Sequence, residues 1–292
     1  MSVLDSLAGT ATAGTLYGIG VGPGDARYLT LRAAGLVQAV DVVAYFAKIG
    51  SPGNARRIVA PLLEDGRAEM RLEYPVTDEV PADSLEYQQK IGAFYRQTAD
   101  ALATVLRQGK SVGLLAEGDP FFYGSFMHMW RRLSADFPVE VVPGVTGMSG
   151  CWTRANLPMT WGNDALAVLP GTLDEHALVE RLRLADAAVI MKVGRNLAKV
   201  RRAVETAGLL SRAVYVERGT MKDERIVPLL GRDAGDDGHL GSMPGEVAAQ
   251  DGVVDVDQAG PESCHRIDAP ARSLPDVRRM SASASSAPGT MA

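Results

Sequence analysis

A chain of 292 residues with 46% apolar and 22% charged residues has the composition of a soluble globular protein and the length for about two domains. A formal net charge of −5 gives no general attraction to nucleic acid or acidic membrane surfaces. No stretch reaches the apolar length of a membrane span, and the N-terminus lacks a basic start with an apolar run, so the expected compartment is the cytoplasm.

Two distant cysteines, Cys151 and Cys264, make no disulfide framework, and the four histidines show no ligand spacing with them; no metal site is expected. Residues 1–13 are small and polar and read as a flexible leader. Residues 15–21 predict a strand that runs into Gly22-Pro23-Gly24-Asp25. A helical pattern follows at Leu29, Leu31, Ala34, Leu36 and Val37, then a second strand over 42–46. Strand, glycine-rich turn, helix and strand imply a parallel sheet with a right-handed crossover. The unit fails as a dinucleotide site. Pro23 removes a backbone donor from the turn, and the acid, Asp41, precedes the second strand instead of ending it. A loop over 50–57 carries Arg56 and Arg57, ahead of a short helix to Leu63 and a third strand over 69–74. A capping box of Asp83 and Glu86 opens the clearest helix, with Ile91, Phe94, Tyr95, Thr98, Leu102, Val105 and Leu106 on one face and Gly109 at its end. Tyr87, Phe94 and Tyr95 are expected in the core.

A strand over 111–115 ends at Ala116-Glu117-Gly118-Asp119-Pro120-Phe121-Phe122-Tyr123-Gly124, ahead of a helix around 126–133. Ligands of open α/β sheets sit past the carboxyl ends of the strands, where a glycine admits close approach and a carboxylate accepts hydrogen bonds. Asp119 before Pro120 fits a helix N-cap equally well. The next strand, 139–142, ends at Pro143-Gly144-Val145-Thr146-Gly147-Met148-Ser149-Gly150, whose small residues let a helix N-terminus approach either a ligand or another backbone. The domain boundary is placed near Pro143 and Gly144. Strands over 165–169, 188–191 and 213–216 then alternate with helices over 174–184 and up to Ala207, and 224–229 reads as a returning strand. The expected fold is two α/β domains, 14–143 and 144–230. Residues 231–292 lack apolar surface to offset ordering entropy and are expected to be mostly disordered. Their one strand-like fragment, Val253-Val254-Asp255-Val256, is too short and acidic for a core strand.

Five turns carry a family resemblance: Gly22-Pro23-Gly24-Asp25, Gly118-Asp119-Pro120, Pro143-Gly144-Val145-Thr146, Met191-Lys192-Val193-Gly194 and Arg218-Gly219-Thr220. In this order and spacing the chain resembles the tetrapyrrole methylases, the S-adenosylmethionine-dependent enzymes of cobalamin and sirohaem synthesis, over roughly residues 15–229. Tyr45-Phe46-Ala47-Lys48 with Ser51-Pro52-Gly53, the long helix from Tyr87 to Tyr95, and Glu217-Arg218-Gly219-Thr220-Met221-Lys222-Asp223-Glu224-Arg225 narrow it. They are most similar to members that methylate C20 of precorrin-2, the meso carbon between rings A and D, giving precorrin-3A.

The resemblance implies an active-site cleft between the two α/β domains, in a homodimer. Carried over by motif, the methyl donor would contact Gly118, Asp119, Phe122, Thr146, Gly147, Met191, Gly219 and Thr220. Pro23 and Asp25 would lie near where donor and tetrapyrrole meet. The macrocycle's carboxylates call for fixed cations, for which Arg27, Arg56, Arg57, Arg154 and Arg218 are candidates. Uroporphyrinogen-type members carry a carboxylate after the tyrosine of the second strand, where this chain has Phe46, and no general base is identified. A sibling methylase acting on uroporphyrinogen III or a later precorrin, and a non-catalytic binder, are the alternatives. Family members continue past 229 into an apolar strand that completes the second sheet, which the sequence does not offer; a bare sheet edge is therefore expected.

Overall fold

The computed structural model describes residues 9–63, 66–75, 85–231 and 253–254. Strands β1 (Leu16–Gly20), β2 (Val42–Lys48), β3 (Ala68–Tyr74), β4 (Val112–Ala116) and β5 (Val139–Val142) form a first sheet in the order β3-β2-β4-β1-β5, parallel throughout. The central strands β1 and β4 are buried along their whole length, as strands of a parallel sheet covered on both faces must be. Helices α1 (Leu31–Ala39) and α2 (Asn54–Val59) cover one face, over Ile19, Leu36, Val43 and Val59. The other face carries α3 (Leu85–Arg107) and α4 (Phe126–Leu133), over Leu102, Leu114, Phe126 and Met129. Each such fully buried side chain stabilises the fold by about 1.5–3 kcal/mol. Phe94 and Tyr95 are buried and Tyr87 is half-buried. Asp83 lies outside the described residues, so its capping box does too. Glu86 pairs one turn along with Lys90 at 2.7 Å.

The second sheet contains β6 (Leu166–Pro170), β7 (Ala187–Met191), β8 (Ala213–Glu217), β9 (Arg225–Pro228) and β10 (Val253–Val254), in the order β6-β7-β10-β8-β9. Helices α6 (Glu175–Leu184) and α7 (Leu197–Thr206) bury Leu178, Ile190, Ala203 and Val204 on one face. The N-cap of α6 is Asp174, whose carboxylate accepts from the Ala177 N–H at 2.8 Å. The opposite face buries Cys151, Met191 and Val216 under α5 (Gly147–Arg154), and Phe122 of the first half packs against that cluster. Among the described residues no helix is long and apolar enough to cross a membrane.

Two expectations need correction. Val253 and Val254 do form a strand within the sheet: Val253 pairs antiparallel with Val189 of β7 and with Val214 of β8. The slot between those strands asks for extended backbone with both of its edges hydrogen-bonded, a demand that side-chain composition does not advertise. The sheet is thus bridged where a bare edge was expected. The remaining expectation for 232–292 lies outside the described residues. The second correction concerns Asp119, which does not cap α4; that helix starts at Phe126, after Ser125.

Candidate active site

The site is built from backbone before side chains. Gly20, Gly118 and Gly144, at the ends of β1 and β4 and just past β5, meet backbone to backbone. A Cβ on Gly144 would stand 2.0 Å from the Gly118 carbonyl oxygen, and one on Gly20 would stand 2.5 Å from the Gly144 nitrogen. Gly22 and Gly118 also form an isolated bridge, the Gly118 N–H donating to the Gly22 carbonyl at 2.9 Å. Asp119 completes the lock. One carboxylate oxygen accepts from the Phe121 N–H at 2.9 Å and the other from the Gly144 N–H at 3.1 Å, tying the β4 turn to the β5 turn. Thr146 caps α5 through its hydroxyl, which accepts from the Ser149 N–H.

The two halves touch through small residues. A Cβ on Gly150 would lie 2.5 Å from Pro23 Cβ, and one on Gly24 would lie 3.3 Å from the Gly219 carbonyl oxygen. A Cβ on Gly24 would lie 2.6 Å from Met221 Cγ, and the Asp25 N–H donates to Thr220 Oγ1 at 3.2 Å. Pro23, Gly219 and Thr220 thus stitch the cleft together at its seam.

Beside the seam lies a cavity of ≈ 280 Å³ walled by both halves: Gly118, Asp119, Phe122, Gly147 and, from β7, Met191. Its far wall is aromatic. Phe46 stacks on Tyr74 with centroids 5.4 Å apart, and Tyr74 shares a 2.5 Å hydrogen bond with the Ser125 hydroxyl, which also meets Tyr95 at 3.1 Å. Glu117 faces the same space. Burial pushes its carboxyl up to about 7, against a hydrogen bond from Asn54 and the charge of Arg57.

A second cavity, ≈ 510 Å³, opens on the other side of Asn54, which lines both. Here Arg27, Arg57 and Arg154 converge with Asp25, Thr220 and Glu224. Arg27 grips Asp25 in a fork, with Nη2 at 2.6 Å and Nε at 2.9 Å. The hydrogen bond from Arg27 holds the Asp25 carboxyl below its usual range. Arg154 takes Glu224 from the second sheet in the same manner, its Nε within 2.8 Å, and Glu224 also accepts from the Thr220 N–H at 2.9 Å. Arg218 pairs with Asp223 at the rim.

Of the residues that the sequence put forward, Gly118, Asp119, Phe122, Gly147 and Met191 come together in the first cavity. Asp25, Arg27, Arg57, Arg154 and Thr220 come together in the second. Thr146, Pro23, Gly219 and Arg218 stand just behind these walls. Arg56 is not at the cleft: its guanidinium is bound to Glu69 of β3 at 2.9 Å, on the sheet's flank. Sequence reasoning passed over Asn54 and Glu117, although Glu117 precedes the glycine of the organising turn. It also passed over a backbone signal. Tyr123, Lys192, Arg218 and Thr220 all have positive φ (53°, 59°, 52° and 71°) without being glycine, and all belong to turns at the cleft. Such conformations are held only where the surroundings impose them, and they cluster at functional sites. The Lys192 ammonium lies 4.8 Å from the Tyr123 ring centre, joining two of these turns across the two halves, and burial lowers its pKa.

Comparison with known proteins bears on the family and the fold. The pattern of the family described as Tetrapyrrole (Corrin/Porphyrin) Methylases matches residues 15–234. A precorrin-2 C(20)-methyltransferase from Sinorhizobium sp is 52% identical over 216 residues, spanning 74% of this chain and 88% of that protein. Among solved structures, the cobalt precorrin-4 methyltransferase CbiF superposes with a TM-score of 0.57 at 24% identity, covering 73% of this chain and 84% of that one, and shares the fold. A uroporphyrin-III C-methyl transferase from Thermus thermophilus, complexed with S-adenyl homocysteine, gives 0.52 at 25% identity over 74% of this chain and 89% of its own. With the five turns, the paired sheets and the cleft between them in place, the chain belongs to the tetrapyrrole methylase family, whose members are S-adenosylmethionine-dependent C-methyltransferases.

Proposed function

We propose that this chain transfers a methyl group from S-adenosylmethionine to C20 of precorrin-2, giving precorrin-3A in the building of the corrin ring. The observation that carries the reading is the pairing of two unlike cavities across Asn54, one walled by backbone and aromatic rings, the other by three arginines. The 52% identity with a precorrin-2 C(20)-methyltransferase supports the choice of substrate.

The first cavity suits the donor. Gly118 and Gly147 leave its backbone accessible, Phe122 and Met191 give apolar contact, and the carboxylates of Glu117 and Asp119 favour a sulfonium charge. When bound, the donor supplies an activated methyl group on a good leaving group. The protein's own task is then to align the accepting carbon and exclude water, which contributes roughly 7–11 kcal/mol in favourable cases. The fixed turns at Gly118 and Gly144 are suited to that task because backbone packed on backbone cannot drift. The second cavity suits a polycarboxylate. Arg27 and Arg154 are largely held by carboxylates that a substrate carboxylate can replace, and exposed ion pairs of this kind are weak. The reading brings with it the homodimer that the resemblance implies and the cytoplasmic setting expected from the sequence.

The test is direct: incubate the protein with precorrin-2 and donor, and locate the new methyl by mass analysis and NMR. One methyl at C20 is the expected result. Transfer only to uroporphyrinogen III or a later precorrin would assign the chain to a sibling activity, and tight binding without transfer would make it a binder.

A further inference from the structure

We propose that Phe122-Tyr123 of the first half and Met191-Lys192 of the second form a two-residue clasp that closes the smaller cavity, with Lys192 as a positioning residue for donor binding. Lys192 takes this role on the reading of that cavity as the donor site, whichever tetrapyrrole receives the methyl group.

The clasp is built from two short pieces of chain. Phe122 and Tyr123 lie in the turn that leaves β4, and Lys192 directly follows Met191, the last residue of β7. Each piece is an apolar residue followed by one in the left-handed backbone region, with φ of 53° at Tyr123 and 59° at Lys192. Neither is a glycine, so the surroundings must hold both bends. In an extended strand, consecutive side chains point to opposite faces. A left-handed residue breaks that alternation, which lets both members of each piece engage the same partner. Phe122 packs against the cluster that contains Met191, and the Lys192 ammonium lies 4.8 Å from the Tyr123 ring centre. Apolar residue meets apolar residue, and cation meets ring, across the two halves.

Both pieces are braced from behind. The Phe122 and Tyr123 rings meet edge to face with centroids 4.8 Å apart. The Met191 carbonyl accepts from the Gly171 N–H at 2.6 Å, just past β6, and the Lys192 carbonyl accepts from the Asn196 amide at 3.2 Å, just before α7. The ammonium is half-buried, where its attraction to a ring is stronger than in open water. Phe122, Tyr123 and Met191 all line the smaller cavity, and Lys192 stands behind them. A join at this point fixes the spacing of two walls that one ligand must touch at once. Such preorganisation raises affinity because binding no longer has to bring the walls together. It is separate from the seam at Pro23, Gly24 and Gly150, which joins the halves through small residues and has no charge in it.

The experiment measures S-adenosylhomocysteine binding by calorimetry in the full-length wild type, Lys192→Met, Lys192→Arg, Tyr123→Leu, Tyr123→Phe and the K192M/Y123L double variant, with circular dichroism to confirm the native fold. K192M and Y123L are each expected to weaken binding about three- to tenfold, the effect of one partly buried cation–ring contact. The double variant should bind no more weakly than the weaker single variant, since the contact can be lost only once. K192R keeps a cation and Y123F keeps a ring, so each should stay within about twofold of wild type. Lys192→Gln, made alongside, gives the same reading if K192M does not fold. Wild-type affinity in K192M, a loss in K192R as large as in K192M, or losses that multiply in the double variant would overturn the clasp while leaving the donor site standing. Failure of the wild type to bind S-adenosylhomocysteine would overturn the donor reading of the cavity and the clasp with it.

Discussion

The two cavities that meet at Asn54 are made in opposite ways. The smaller is shaped by main chain: Gly20 and Gly144 leave no space for a Cβ, and Asp119 ties two turns with its only charge. The larger is shaped by side chains in partly exposed ion pairs, Arg27 with Asp25 and Arg154 with Glu224. Rigid backbone suits a ligand whose reactive bond must be aimed. Exchangeable arginines suit a large, flexible polyanion whose carboxylates displace the resident ones. The difference teaches that the same cleft divides its work by the kind of atom that lines it.

Mutation should expose that division most strongly at Gly144. Its Cβ would meet the Gly118 carbonyl at 2.0 Å and Gly20 Cα at 2.9 Å, neither of which can swing aside. Gly144→Ala is expected to cost about 3 kcal/mol of stability, read from urea denaturation. A midpoint equal to wild type would mean that the turns are not mutually locked.

Gly147→Leu acts one layer out. Placed at the start of α5 and on the wall of the smaller cavity, the added side chain should abolish S-adenosylhomocysteine binding in calorimetry while circular dichroism stays native. Unchanged affinity would remove this turn from the donor site.

Arg154→Gln should leave donor affinity alone and weaken precorrin-2 binding on the order of tenfold, because a forked, charged donor is replaced by a neutral amide. An equal loss for both ligands would collapse the distinction between the cavities.

Glu117 links the pair and sets a pH effect on stability. Its folded carboxyl is raised to about 7 from 4.5, so the folded protein holds the proton more tightly than the unfolded chain. This contribution to stability is fully present below the unfolded value and is lost as pH rises through about 7. Glu117→Gln should therefore raise the melting temperature at pH 8 relative to wild type and change it less at pH 5. The opposite order would show that the carboxylate is stabilised where it sits.

The smallest effect expected is one of salt. Precorrin-2 binding should fall more steeply with ionic strength than donor binding, as a polyanion on arginines must. Equal slopes in parallel titrations would argue against an acidic ligand in the larger cavity.

Much of this site was legible in sequence because its parts are local. A glycine or a proline at the end of an apolar run marks a turn by its own backbone limits, so Gly22-Pro23-Gly24, Gly118-Asp119-Pro120 and Pro143-Gly144 could be read without a partner in view. The strands were legible too, within a residue or two, because β1 and β4 are apolar along their length. Arg56 misled because an arginine shows its charge but not its neighbour; Glu69 of β3 pairs with it on the sheet's flank. Val253 and Val254 misled for the converse reason, since their place depends on a slot between β7 and β8 that neither residue announces.

What the sequence determined by itself is therefore the rhythm of strand and helix, the turns, and through them the family. The tertiary structure alone decided which charges stay available for chemistry. Asp25 is gripped by Arg27 from its own turn, whereas Glu224 is held by Arg154 and Asp119 by the Gly144 N–H, groups that folding brings from elsewhere in the chain. Burial raises the Glu117 carboxyl to about 7, against a hydrogen bond from Asn54 and the charge of Arg57. A carboxylate's pKa is set by desolvation and by the charges within a few ångströms, and those are properties of packing.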